Sequence, residues 1–172
     1  FVLMASMPAM AQTNTATVAP LGFAVGKATL KEVKDGVPGG AKLSNEGTNR
    51  YSKGSMFKAQ GRAFDIEGLQ GVLFVFDERE ALVGLQMTMA KNGFDRIYQN
   101  LAGKYRLVRK DIPYVGNKYA RFQQGDIVIE LDAPHMSFDM TVPYMTPGLE
   151  KQIEQGRRQE AVQKQKREAG QF

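Results

Sequence analysis

The spacing of apolar positions changes from helical to alternating along the first half of the chain. Thr29 and Glu32 match a capping box, in which the two side chains hydrogen-bond the backbone at the start of a helix. Leu30 and Val33 give the helix that follows an apolar stripe, and the glycines and proline of 36–40 end it. So short a helix is expected to pack against a larger element.

Beyond this helix, apolar residues alternate with polar ones, as in strands that bury one face. Phe64 and Ile66 share one side of the first such strand, and the nearly apolar run 71–76 is typical of a central strand. A charged turn at 77–80 leads into another alternating segment. Its inward positions are Val83, Leu85, Met87 and Met89. Together these segments predict a β-meander.

A second helix and a second set of strands are predicted in the other half of the chain. The helix has apolar residues at i, i+3, i+4 and i+7 and a terminal glycine: Phe94, Ile97, Tyr98, Leu101 and Gly103. Strands are expected at 105–110, 117–123, 126–132 and 137–144. The last of them directs four side chains inward: Phe138, Met140, Val142 and Tyr144. Pro143 cannot donate to a ladder, which predicts that this strand lies at a sheet edge or ends there.

The element order predicts an α+β fold, with an antiparallel sheet and two short helices on one of its faces. We expect the domain to span 21–146 and to consist of two α-β repeats of three or four strands each, 21–90 and 91–146. A polar linker precedes it at 12–20. Residues 147–172 carry few aliphatic side chains among many charged ones, which predicts a solvated helix that frays towards its end. Whether this polar helix docks onto a partner stays open.

The first residues have the pattern of a secretory signal peptide. Phe1 to Met10 carry no charge, and the small residues Ala9 and Ala11 stand where a signal peptidase reads them. We therefore interpret 1–11 as a signal remnant, with cleavage near Ala11/Gln12. This predicts an exported protein, best placed in a Gram-negative periplasm, with a Gram-positive exterior as the alternative.

Composition narrows the classes of site. None of the 172 residues is cysteine, which excludes thiolate zinc sites, thiol nucleophiles and disulfides. No apolar run approaches the ~20 residues of a membrane helix. The net charge of +5 lies outside the first eleven residues. Because we expect an exported chain, nucleic acid is not an expected partner. The candidates are lipid headgroups, lipopolysaccharide and acidic wall polymers, or the charge only keeps the protein soluble.

Within 21–33, Gly26, Thr29 and the pair Glu32-Val33 resemble the opening of small exported α/β repeat domains. These are the β-lactamase-inhibitor-protein-like group and the small outer-membrane-assembly lipoprotein domains. The resemblance implies binding through a sheet face or loops rather than catalysis. The chain departs from these groups in having neither a lipid-attachment cysteine nor a disulfide pair.

Three sets of residues could carry chemistry, and each has a simpler interpretation. His135 is the only histidine and lies in a predicted turn, where no triad geometry is expected. Carboxylates that could serve a glycosidase or Ca²⁺ alternate along one strand face: Asp126, Glu130 and Asp132. A solvated face explains them. Thioethers that could bind Cu(I) with His135 are those of Met136, Met140 and Met145, although Met140 alternates with core residues. No catalytic residue, metal site or cofactor is predicted.

Cations and aromatic residues are concentrated between 104 and 122, opposed there only by Asp111. The predicted binding residues are Lys104, Arg106, Arg109, Lys110, Tyr114, Lys118, Tyr119 and Arg121, with Tyr105 and Phe122 interleaved. Such a surface suits anionic sugars, lipid headgroups or an acidic patch on a protein. The alternative is a hairpin face whose charges only keep a sheet edge soluble.

The sequence favours a non-enzymatic, exported binding or envelope-accessory protein that acts through a protein–protein or anionic-surface contact. An alternative is a carrier that holds an apolar ligand or lipid between sheet and helices. Its pocket would be lined by Phe74, Leu85 and Phe138. A hydrolase would need His135 and a carboxylate to converge in a cleft, and it is disfavoured together with a copper-binding protein. The partner and the oligomeric state stay open.

Overall fold

A computed structural model describes residues 16–172, so the predicted signal remnant and most of the predicted linker lie outside the described residues. The helices are α1 (Leu30–Gly36), α2 (Phe94–Lys104) and α3 (Pro147–Ala169). The strands of the first half are β1 (Ser44–Thr48), β2 (Lys53–Gln60), β3 (Leu69–Asp77) and β4 (Leu82–Ala90). Those of the second half are β5 (Arg106–Asp111), β6 (Lys118–Gln124), β7 (Ile127–Ala133) and β8 (Asp139–Met145). The fold is α+β, as predicted.

All eight strands form one antiparallel sheet in the order β1-β2-β3-β4-β8-β7-β6-β5. Each half of the chain supplies one helix followed by a four-stranded meander. The two meanders meet at the centre, where β4 pairs with β8 from Gly84–Met145 to Ala90–Asp139. The first and fifth strands are therefore the two edges of the sheet.

The main core lies between one face of the sheet and helices α1 and α2. Phe74 and Phe122 are fully buried there, together with Val33 of α1 and Leu101 of α2. The capping box predicted for α1 is present: the Glu32 backbone N–H donates to Thr29 Oγ1 at 3.2 Å, and the Thr29 N–H donates to Glu32 Oε2 at 2.8 Å. We call this side of the sheet the helix face.

The opposite face of the sheet is partly covered by α3, which corrects the prediction that the C-terminal helix is wholly solvated. Leu149 is buried with Val75 and Met145 in a second apolar cluster. The helix has no broad apolar stripe, but glycines let it approach the sheet closely. A Cβ on Gly84 would lie 2.7 Å from Leu149 Cδ2, and one on Gly156 would lie 2.5 Å from Tyr51 Cε1. We call this side of the sheet the α3 face.

The far half of α3 is solvated, as predicted, and it stays helical to Ala169. Arg50 and Glu160 form an ion pair at 2.6 Å between exposed side chains. Val162 beyond it is half exposed. None of the helices in 16–172 is both long and apolar enough to cross a membrane.

The prediction of a strand around Phe64 and Ile66 is wrong. Gly61–Ala63 form a short 3₁₀ turn, and the two residues follow it in a loop whose apolar side chains pack against the core. The strand of this region comes earlier, at β2. Apolar alternation marked burial here correctly, but it did not mark strand pairing.

The predicted position of β8 at an edge is also wrong, because β8 lies between β4 and β7. Pro143 stands opposite Gln86 of β4, and its neighbours Thr141 and Tyr144 pair with β7 on either side of it. The sheet thus accommodates the missing N–H at a gap in one ladder. Phe138 precedes the strand and is exposed rather than inward, whereas Met140, Val142 and Tyr144 are buried.

Candidate binding surface

The predicted binding residues lie mostly on the hairpin that ends the sheet. This edge hairpin consists of β5, the loop 112–117 and β6, hence residues 106–124. Every residue of β5 is exposed, whereas β6 buries Ala120 and Phe122 in the main core. The hairpin is therefore anchored through β6 and presents β5 to solvent.

The structure separates the predicted cations onto two faces. Residues directly opposite each other in an antiparallel pair share a face. Arg106 pairs with Gln123 and Arg109 with Arg121, which places these arginines on the α3 face. Val108 is the extra residue of a bulge between them. Without this bulge, residues three apart in a strand would point to opposite faces.

The lysines lie apart from the arginines. Lys110 stands opposite the buried Ala120, which places it on the helix face. Lys118 Nζ lies 5.1 Å from the ring centroid of Phe94. Lys104 ends α2, and its Nζ lies 5.6 Å from the ring centroid of Tyr105. The predicted single patch is therefore a rim of cations around the end of the sheet.

Arg121 is engaged within the protein. Its guanidinium lies 3.2 Å from Glu130 Oε1 and 2.6 Å from Glu150 Oε1, so it joins β7 to the start of α3. Burial alone would lower the pKa of Arg121, but the hydrogen bond and charge of Glu150, together with Tyr119 and Glu130, outweigh it and raise that pKa. Tyr119 Oη donates to the same Glu130 oxygen at 2.9 Å. We assign Arg121 to the docking of α3 rather than to partner contact.

The cations left open to solvent in the hairpin include Arg106, Arg109 and Lys110. Arg106 donates to Gln123 Oε1 at 3.1 Å, and the Arg109 guanidinium lies 5.8 Å from the Tyr119 ring centroid. Neither contact neutralises the charge. Tyr114 projects fully into solvent from the loop.

Four exposed apolar residues of the hairpin were not predicted as site residues: Leu107, Val108, Ile112 and Val115. Their accessible fractions range from 37% for Ile112 to 67% for Val115. The sequence did contain a sign of this exposure, because the aliphatic residues of β5 do not alternate regularly with its cations. A bulged edge strand produces this pattern, because neither of its faces is fully covered.

The other candidate chemistry is dispersed. His135 lies in the turn between β7 and β8; its backbone N–H donates to Asn117 Oδ1 at 2.8 Å, and its carbonyl accepts from Lys91 Nζ at 3.0 Å. Met140 lies in the main core, Met145 lies in the cluster on the opposite face, and Met136 is exposed. Within 16–172, no three His, Asp or Glu side chains are grouped as a metal site would require.

The pocket predicted for a carrier is not formed by its predicted residues. Phe74 and Leu85 are fully buried in packed core, while Phe138 is exposed. A different cleft of about 450 Å³ opens between α2 and the sheet. Met87 and Tyr144 line it from the sheet, and Arg96 and Lys104 line it from α2. Burial, with a smaller contribution from Tyr105, raises the pKa of Tyr144.

Comparison with family models, curated proteins and solved structures finds no match. The resemblance of residues 21–33 to exported repeat domains therefore stays a prediction.

The half-buried phenol of Tyr119 gives a test of the site's electrostatics. Burial, followed by the hydrogen bond and charge of Glu130, raises the pKa of Tyr119 to about 12. An unfolded tyrosine titrates near ~10. The folded state thus holds the proton more tightly, so this contribution to stability is complete below pH ~10 and is lost as pH rises towards ~12.

We expect Tyr119→Phe to lose less stability than wild type as the pH rises from ~10 towards ~12, since it lacks this titration. Urea unfolding at a series of pH values measures the difference. Tyr114→Phe, at a fully exposed site, is the matched control and should follow the wild-type curve. Identical slopes for all three proteins would show that Tyr119 is not protected in this way.

Proposed function

We propose that this chain is an exported, non-enzymatic binding protein that contacts another protein through the edge hairpin. One observation carries the proposal. Of nine exposed large apolar side chains in 16–172, five lie in this hairpin: Leu107, Val108, Ile112, Tyr114 and Val115. Exposed apolar and aromatic groups with arginines nearby are typical of protein interfaces.

The export part of the proposal rests on the signal pattern of residues 1–11, which lies outside the described residues. We propose cleavage near Ala11/Gln12 and a periplasmic location. Recovery of the protein from the envelope of a Gram-negative host, with Gln12 at its N-terminus by mass spectrometry, is the expected result. An intact leader in the cytosol would contradict it.

We further propose that the chain consists of two α-β repeats, 21–90 and 91–146. The shared order of one helix and four strands supports this, as does the meeting of the halves at β4–β8. In that arrangement β1–β2 is the counterpart of the edge hairpin. The first strand is polar throughout and Tyr51 of the intervening turn packs against α3, so only the second repeat presents apolar residues at its outer edge.

One feature favours a protein partner over a bare anionic surface. The exposed aliphatic residues of the hairpin gain most from an apolar counterpart, which a phosphate or sugar layer does not offer. The open arginines then suit acidic residues around that contact. The cleft beside α2 supports the second candidate, a carrier of a small amphipathic ligand.

The test reverses the charge of three exposed cations of the hairpin and leaves Arg121 unchanged. Arg106→Glu/Arg109→Glu/Lys110→Glu changes exposed side chains only. The matched control, Arg62→Glu/Arg79→Glu/Arg157→Glu, makes the same charge change at exposed sites elsewhere. In the wild type and in both charge-reversal variants, a photo-crosslinking residue replaces Tyr114. A separate protein carries the crosslinker at Phe138, which is also fully exposed, as the control site.

We expect a discrete protein adduct at position 114, reduced about tenfold by the hairpin reversal and unchanged by the control reversal. Equal adducts in both variants, or none in wild type, would contradict the proposal and direct attention to the cleft. Co-sedimentation with phosphatidylglycerol vesicles that needs only the hairpin charges, without any protein adduct, would replace the protein partner with an anionic surface.

A further inference from the structure

The strand β5 ends the sheet with one row of backbone groups unpaired. It pairs with β6 on one side and has no neighbouring strand on the other among the described residues. The outward N–H and C=O groups of such an edge can pair with an added strand. Six residues of strand span about 20 Å, which matches a segment of about six residues.

The two edges of the sheet differ in side chains. The other edge strand, β1, is short and bulged near Gly47 and has no large apolar residue. In contrast, β5 exposes Leu107 and Val108. Cations and a bulge are also means by which edges avoid pairing. Exposed aliphatic residues do not protect an edge from pairing, and we therefore interpret β5 as an edge that pairs with an added strand.

Charge decides between candidate occupants. In β5, Arg106, Arg109 and Lys110 are opposed only by Asp111, for a net charge of +2. A second copy would bring the same +2 to the junction. A strand that carries Asp or Glu between apolar residues would neutralise the edge and cover Leu107 and Val108.

We infer that β5 binds an extended acidic segment of a partner protein as a ninth strand of the sheet. The inference rests on the proposed function, because it specifies how the edge hairpin would bind. It requires backbone pairing along β5, whereas the proposed function requires only contact with the hairpin.

The test uses an acetylated and amidated octapeptide of alternating Glu and Val, added to the full exported chain labelled with ¹⁵N. We expect binding shifts in β5, and exchange of its outward backbone amides slowed at least about tenfold. The same peptide with Lys in place of Glu should bind about tenfold more weakly or not at all. The hairpin reversal described above should weaken binding of the acidic peptide, and the Arg62/Arg79/Arg157 control should not.

Peptide binding without protection of β5 amides would overturn the added strand, and so would absence of binding at millimolar peptide. In either case a position-114 adduct lost in the hairpin reversal would leave the proposed function standing. A concentration-dependent dimer of the isolated chain that protects β5 would identify a second copy as the occupant and overturn the acidic segment. Loss of both the adduct and peptide binding would reject the two together.

Discussion

Gly54→Ala is expected to destabilise the protein by about 3 kcal/mol, at the upper end of typical overpacking costs. A Cβ at this position would lie 2.2 Å from the Phe76 carbonyl oxygen and 2.3 Å from that of Asp77. Both oxygens belong to the backbone of β3, next to a fully buried Phe76 side chain. The strand cannot retreat without disturbing the main core.

A glycine elsewhere in the chain provides the control. Gly103 lies in the last turn of α2, where an added Cβ would meet nothing within 4 Å. Alanine there should stabilise the protein by roughly 0.5–1 kcal/mol through helix propensity. Urea unfolding followed by circular dichroism measures both variants. A cost below about 1 kcal/mol for Gly54→Ala would mean that β2 and β3 can separate locally.

The elements predicted best are those whose burial has one clear period. The helical spacing of Phe94, Ile97 and Leu101 correctly located α2, and apolar runs located β3 and β4. The strand β1 was missed because all its residues are polar and exposed, so neither burial nor alternation marks it. It is held as a strand by its pairing with β2, a long-range contact that no local pattern encodes.

The position of α3 was missed for another physical reason. Its contact with the sheet depends on Leu149, on Gly156 against Tyr51 and on an ion pair from Glu150, not on a wide apolar stripe. Glycine contacts and charge pairs are invisible to a hydrophobic pattern. The sequence therefore predicted the helix but not the surface that it covers.

The candidate binding residues were predicted as one patch because distance along the sequence does not show which face of a sheet a residue lies on. The bulge at Val108 brings Arg106 and Arg109 to the same face, while the lysines lie around the edge and Arg121 lies under α3. The basic and aromatic composition of the hairpin could be read from the sequence, but the division of its cations between solvent and the docking of α3 could not. That division depends on Glu150, which is distant in sequence.

Arg121→Met is expected to cost about 2 kcal/mol, because it leaves two charged hydrogen-bond partners without their cation. Glu130 and Glu150 have side chains only 23% and 27% exposed, so water replaces the guanidinium incompletely. Methionine keeps much of the aliphatic bulk, which isolates the loss of charge. Urea unfolding gives the cost, and amide exchange in the first turns of α3 should accelerate because Glu150 lies there.

Arg106→Met is the matched control, since it removes a neighbouring cation whose contact is an exposed hydrogen bond to Gln123. It should change stability by less than about 0.5 kcal/mol and leave α3 exchange unaltered. The two variants should also differ in binding. Arg106→Met should weaken binding of the acidic peptide, whereas Arg121→Met should instead accelerate amide exchange in α3. Similar stability costs for both would show that Arg121 does not hold the helix. The α3 face of the edge hairpin would then have to be treated as one cationic surface.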